Sequence, residues 1–312
     1  MEVLYFPDDA RPPWVVHPVL ALGNFDGLHR GHLKIVERVR RGAAEHGGTP
    51  MVMTFDPHPP RIVRPDKAPP LLMTIDQRLD ALDRAGVHTV AVVRFTREMS
   101  QWEPETFVRN VLVDWLRVAE VWVGANFLFG RDRSGSFSLL RTLGQRYGFR
   151  AEKIDPVRYK EFVVSSTRIR RLVTEGRVDE AGALLGHPYV LSGIVVEGKH
   201  RGRELGYPTA NLRTANELIP PCGVYATTLL VEGMVHAAVT SIGVNPTFGD
   251  LAVSAIETHV LQYCGDLYGR TVSLGFVQRL RDERRFEDVD ALKAQIDADC
   301  RQAERLFSRL SV

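Results

Sequence analysis

The stretch Gly23-Asn24-Phe25-Asp26-Gly27-Leu28-His29-Arg30-Gly31-His32 places two imidazoles three residues apart among glycines that let a backbone turn tightly beside a ligand. A helix is predicted to start around Gly31, which would set His29 and His32 on its first turn, both able to face one phosphate group. Imidazole N–H groups and helix-terminal amides stabilise charge developing on a phosphoryl group and on departing pyrophosphate. By themselves the two histidines also fit an ordinary surface turn, or part of a zinc site with no evident further ligands.

Other segments suit the same chemistry. The hydroxyls of Ser165, Ser166 and Thr167 suit a helix N-cap that aims backbone N–H groups at phosphates, and Arg170, about one turn on, adds positive charge. An ordinary capped helix reads the same way. Asn126 follows a predicted strand end, whereas its neighbours Phe127 and Phe129 fit a core equally well. His58 fits either a plain loop or a ligand-facing position. In the second half, Gly202-Arg203-Glu204-Leu205-Gly206-Tyr207-Pro208-Thr209-Ala210-Asn211 offers Thr and Asn oxygens, hard donors of the kind Mg²⁺ takes, although Pro-Thr-Ala-Asn is also a common turn composition. Gly193 to Lys199 has the spacing of a Walker A loop and fails as one. His200 stands where Ser or Thr should bind the metal, and Ile194-Val195-Val196 reads as a strand.

The elements that must hold these residues follow from periodicity. Apolar runs at Val19 to Leu22, Met51 to Phe55, Thr89 to Val93 and Glu120 to Val123 alternate with helix-like segments starting near Gly31, Ile75, Pro104 and Ser136. That alternation predicts an α/β, Rossmann-like domain with a parallel sheet covered on both faces, its ligand beyond the carboxyl ends of the strands. Pro57 to Pro70 is expected to be an irregular loop. After Gly186 the pattern becomes β-rich: Val190 to Val196, Tyr225 to Val231, His236 to Ile242, Ser254 to Gln262 and Thr271 to Leu280 predict a small β-barrel, and a helix is expected from about Val289 to Leu310. The expected domains are residues 1–186 and 187–312.

Composition narrows the class. A chain of 312 residues, 44% hydrophobic and 25% charged, is ordinary for a two-domain globular protein, and a net charge of +2 gives no reason to invoke nucleic acid or anionic lipid. Cys222, Cys264 and Cys300 are odd in number and far apart, which argues against a disulfide framework or a zinc ribbon. With no signal-like start and no membrane-length apolar run, a cytoplasmic protein is expected, with self-association left open.

The stretch ending in His29-Arg30-Gly31-His32 resembles the nucleotidyltransferase signature. Its longer form, with Thr54-Phe55-Asp56-Pro57-His58-Pro59, Gly124 to Gly130 and Ser165 to Arg170 in order, resembles the N-terminal module of bacterial bifunctional riboflavin kinase/FAD synthetases. Pro208-Thr209-Ala210-Asn211, Gly223-Val224-Tyr225, Gly243 to Phe248 and Asp266 to Gly269 are similar to riboflavin kinase blocks. The resemblance implies ATP-dependent phosphorylation of riboflavin to FMN in the second domain and adenylylation of FMN to FAD in the first. It implies catalytic roles for His29, His32 and Glu257, and ATP binding by Gly23, Phe25, Asn126, Ser165, Ser166, Thr167, Arg170, Gly202 and Gly206. Flavin contacts are implied for Asp56, His58, Asn126 and Arg281, and Mg²⁺ binding for Thr209 and Asn211. Small molecules would be the partners.

Two departures are visible: Leu128 where the family often has a polar or basic residue, and Gln262 where aspartate is common. They keep two alternatives open, a single-activity relative with one decayed site and an inactive flavin-binding regulator.

Overall fold

Val19–Leu22 (β2) is apolar on both faces and wholly buried, as the middle strand of a covered parallel sheet must be. The computed structural model describes residues 1–198, 202, 205–245 and 253–310. They divide into two compact units, Met1–Pro70 with Ile75–Ser165, and Leu71–Thr74 with Ser166–Val312.

In the first unit, β2 is joined by Glu2–Phe6 (β1), Pro50–Asp56 (β3), Thr89–Arg94 (β4), Glu120–Gly124 (β5) and Arg150–Ile154 (β6) in an all-parallel sheet of order β1-β4-β3-β2-β5-β6. The connections supply Arg30–His46 (α1), Pro59–Val63 (α2), Ile75–Arg84 (α3), Pro104–Phe107 (α4) and Phe137–Tyr147 (α5). A π-helical stretch, Val108–Trp115, continues α4. On α1 the buried residues Ile35, Val36, Val39 and Ala43 form one stripe, and Gly47 at φ +61 ends the helix in the left-handed conformation that glycine adopts without strain. One apolar core joins Leu20, Leu22, Met51, Met53, Val121 and Val123 of the sheet to Phe107, Val111, Leu112 and Leu140.

The four expected strands are all present, and the sheet adds β1 and β6 at its two edges. Pro57 to Pro70 is not wholly irregular. It contains α2 and a 3₁₀ turn, Pro65–Lys67, each opening on a proline, where the missing N–H costs no helical bond. The short hairpin Arg158–Tyr159 (β7) and Phe162–Val163 (β8) closes the unit.

The second unit opens with Ser166–Thr174 (α6) and Val178–Leu185 (α7), which pack on each other. Tyr189–Val196 (β9), Ala210–Thr214 (β10), Gly223–Val231 (β11), Met234–Asn245 (β12), Val253–Val260 (β13) and Thr271–Arg281 (β14) then form a closed antiparallel barrel of order β10-β13-β12-β11-β14-β9, with β9 also paired to β10. Val289–Leu310 (α8) covers it from outside. Val224 and Ala226 of β11 pack on Ala303 and Phe307 of α8, so the intervening Tyr225 and Thr227 face the barrel interior. There the hydroxyls of Thr227, Thr240 and Thr258 form a ladder across three strands at 2.8 and 2.9 Å.

Arg281, expected to border flavin, has its guanidinium taken up by the fold. Nε lies 3.1 and 3.0 Å from the two carboxylate oxygens of Asp299 on α8, and a terminal nitrogen donates to the same carboxylate at 2.8 Å. A third nitrogen donates to the Asp282 carbonyl. The Asp299 side chain is 4% exposed, so removing one partner leaves a buried charge unmatched. Arg281→Met, which leaves that carboxylate without its partner, is expected to cost about 3–5 kcal/mol in denaturant unfolding, whereas the paired replacement Arg281→Met with Asp299→Leu should recover most of that loss.

Candidate active sites

In the first unit the strand order reverses between β2 and β5: the chain proceeds outward through β3 and β4, then returns to the other side of β2. Loops leaving the carboxyl ends of β2 and β5 diverge there and leave a crevice, the place where such sheets bind ligands. The Gly23 to His29 loop and Asn126 emerge on either side of this switch point. Asn126 is exposed just beyond β5, while Phe129 joins the core and Phe127 packs against it, their rings stacked at 5.4 Å. Asp56 ends β3 at the same edge of the sheet, exposed, and His58 is buried at the start of α2.

His29 is the N-cap of α1. Its Nδ1 accepts the His32 backbone N–H at 3.3 Å, which leaves the ring proton of the neutral imidazole on Nε2. The His29 and His32 rings stack at 3.6 Å with 12° between their planes. Gly31 makes this possible, because a Cβ there would sit 3.1 Å from the His29 ring. Burial, then the neighbouring His29 and Arg78, hold the His32 pKa well below its ordinary value of 6.5. With the His29 Nε2–H and a His32 ring that resists protonation at a helix start, the pair is a donor surface suited to an anion.

The loop is held in a costly backbone shape. Phe25 and Leu28 have φ of 50° and 32°, conformations that cost non-glycine residues roughly 1–3 kcal/mol each. Full burial of both side chains offsets that cost. The Phe25 ring lies 5.0 Å from that of His32 and would crowd any Cβ at Gly23, so its side chain supports the loop from within and any ligand contact there falls to its backbone.

Two buried polar residues lie behind the loop, Thr54, which the sequence placed in a family-like block without a role of its own, and Arg78, which it left unmarked. Thr54 on β3 donates to the Asn24 carbonyl at 2.9 Å, and Arg78 on α3, 2% exposed, donates to Thr54 at 2.8 Å. Nothing in the local sequence marks Arg78, since helical arginines usually face solvent.

Ser165 ends the first unit and Ser166 begins α6 in the second. Thr167 is exposed and Arg170 half-buried on that helix, whose buried face is Ile169, Leu172 and Val173.

On the barrel, Asn211 of β10 pairs directly with Glu257 of β13, and Thr209 Oγ1 lies 3.4 Å from the Glu257 carboxylate. Directly paired residues share a face, as do residues two apart in an extended strand, so hydroxyl, amide and carboxylate oxygens meet on one side. Gly202 packs under this turn. A Cβ there would lie 2.4 Å from the Tyr207 carbonyl and 3.1 Å from Thr209 Oγ1. Gly206, at φ +92, lets the chain enter Tyr207-Pro208. A cleft of about 350 Å³ adjoins, lined by Thr209, Asn211, Thr258, Tyr263, Asp266 and Tyr268 among others. Arg203, Glu204, the rejected Walker segment's Lys199 with His200, and Pro246 to Phe248 lie outside the described residues. Leu128 is an exposed loop residue, and Gln262 occupies a turn at φ 54; neither belongs to the constellations above.

Residues 16–168 match the FAD synthetase family and residues 185–307 the riboflavin kinase family. The bifunctional riboflavin kinase/FMN adenylyltransferase of Pseudomonas fluorescens is 37% identical over 92% of this chain and 92% of its own length. The chain belongs to the bifunctional riboflavin kinase/FMN adenylyltransferase family. The family members from Listeria monocytogenes and Escherichia coli K12 are 35% and 37% identical, covering 95% and 93% of this chain and 94% and 92% of their own. A solved Streptococcus pneumoniae structure, named a macrolide-efflux protein, has a TM-score of 0.87 at 28% identity, covering 97% of this chain and 98% of its own. Its name concerns that protein. Among the described residues here, no helix is long and apolar enough to cross a membrane.

The state of His32 has a measurable consequence. Below pH 6.5 the unfolded chain binds a proton at this imidazole that the folded chain refuses, so folding stability falls as pH drops through that value. Urea unfolding at pH 7 and pH 5 should show a smaller acid-side loss for His32→Gln than for the parent.

Proposed function

We propose that this chain performs both reactions of its family: ATP-dependent phosphorylation of riboflavin to FMN by residues 187–312, and adenylylation of FMN to FAD by residues 1–186. The observation that carries this reading is that both constellations are intact in one chain: the stacked His29–His32 pair capping a helix at the switch point, and Thr209, Asn211 and Glu257 gathered on one face of the barrel. A relative with one decayed site would lack one of them.

In the kinase reaction, Glu257 accepts the proton of the terminal ribityl hydroxyl as its oxygen attacks the γ-phosphorus of ATP and ADP leaves. The hydroxyl of Thr209 and the amide oxygen of Asn211 are neutral hard donors beside a carboxylate, a set that fits Mg²⁺. When bound, Mg²⁺ would neutralise charge on the phosphates. Gly202 and Gly206 let the chain pass close to the nucleotide.

In the second reaction an FMN phosphate oxygen, already anionic, attacks the α-phosphorus of ATP and pyrophosphate departs, so no general base is required. His29, through Nε2–H, and His32 stabilise the departing charge, and the amides at the start of α1 add to it. Asn126, Asp56 and His58 line the same edge of the sheet and are proposed to bind ATP and flavin. Ser165, Ser166, Thr167 and Arg170 are proposed to supply further phosphate contacts. Arg281 is assigned to fastening α8. The proposed partners are small molecules, with no nucleic acid or membrane surface, and the proposed location is cytoplasmic.

Chromatography of reactions containing riboflavin, ATP and Mg²⁺ should show FMN and then FAD. The double variant His29→Ala with His32→Ala should accumulate FMN and make little FAD. Glu257→Ala should fail to phosphorylate riboflavin and still convert supplied FMN to FAD. Equal loss of both activities in a folded variant would contradict the partition.

A further inference from the structure

Arg78 carries its charge on a residue that is 2% exposed, and a buried guanidinium is tolerated only where hydrogen bonds and opposite charge hold it. One terminal nitrogen donates to Thr54 Oγ1 at 2.8 Å and to the Phe55 carbonyl at 3.3 Å. A guanidinium has no acceptor, so the Thr54 hydroxyl must accept from it and direct its own proton elsewhere. That proton goes to the Asn24 carbonyl, 2.9 Å away, in the strained loop that delivers His29 and His32. Arg78 thus orients one hydroxyl, and that hydroxyl fixes the loop.

The charged and titratable groups around this point come from each element packed there. Asp26 of the loop is 1% exposed, and with Asp56 at the end of β3 it favours the charged form of Arg78 against desolvation. On the other side Arg78 opposes protonation of His32, as His29 does from the start of α1. Among the described residues, the His32 Nδ1 and the Arg78 Nε are both buried without a hydrogen-bond partner.

We infer that Arg78 is a positioning residue for adenylyl transfer, holding the Gly23 to His32 loop through Thr54 and Asn24 and keeping a positive charge behind His32. It touches neither substrate nor the reacting atoms in this scheme. The inference rests on the adenylyltransferase function proposed above. Lysine would keep the charge and lose the planar fork, whereas methionine would remove both.

The test uses the full chain carrying Arg78→Lys or Arg78→Met, with FAD formation from supplied FMN, FMN formation from riboflavin, and the His32 titration followed by NMR with labelled histidine. In Arg78→Met, kcat for FAD formation should fall about 100-fold, the scale of an ångström-sized misplacement, with a smaller change in KM for ATP. His32 should protonate at higher pH than in the parent, and FMN formation should persist. Arg78→Lys should lower the same kcat while leaving the His32 titration at its parental position. Parental kcat in either variant would overturn the positioning role, and an unmoved His32 titration in Arg78→Met would overturn the electrostatic one. If Arg78→Met does not fold, Arg78→Lys alone decides the positioning role. A parent chain that forms no FAD would overturn the function instead, and the His32 titration would still judge Arg78.

Discussion

A parallel sheet with helices on both faces has to reverse its strand order somewhere, and at that reversal no connection can cover the strand ends. In this chain the reversal falls between β2 and β5. The consequence reaches through the first unit: the loops after these strands are the ones free to approach a ligand, and the first of them holds two non-glycine residues, Phe25 and Leu28, at positive φ. The core beneath, from Leu20 and Leu22 to Val121 and Val123, holds the two strand ends side by side.

The two units meet the problem of positioning differently. In the first, a loop of unfavourable φ values is set by what lies beneath it, the buried rings and side chains of Phe25 and Leu28 and the Thr54 hydroxyl. In the second, strand register does the work. Asn211 faces Glu257 because β10 pairs antiparallel with β13, and a one-residue slip would send both side chains to the opposite face. One arrangement depends on packing and the other on backbone hydrogen bonds.

Much of this was legible in the sequence, for physical reasons that differ by element. The central strands announce themselves because burial on both faces demands unbroken apolar runs, and α8 because one face must be apolar along its whole length. The edge strand β1 is exposed at Glu2 and Tyr5 and buried chiefly at Leu4, so no clear pattern marks it. Strand β10 is short and polar, and its residues read more readily as ligands than as a ladder. The histidine pair was legible as a candidate from its residue types and spacing, whereas Thr209, Asn211 and Glu257 stood out through the resemblance of their blocks to riboflavin kinases. The Gly31 clearance, the His29 cap and the place of Arg78 were not, since each depends on a distance between side chains. Arg281 is the converse case, a residue type that suits an anionic ligand and that folding commits to Asp299.

The threonine ladder inside the barrel has a property of its own. Each hydroxyl can donate one hydrogen bond and accept another, so a row of three can point its protons in either direction along the row. Thr258 ends the row at the cleft. A concerted reversal exchanges donor and acceptor along the whole row without any heavy atom moving, so the barrel interior keeps its packing whichever way the protons point.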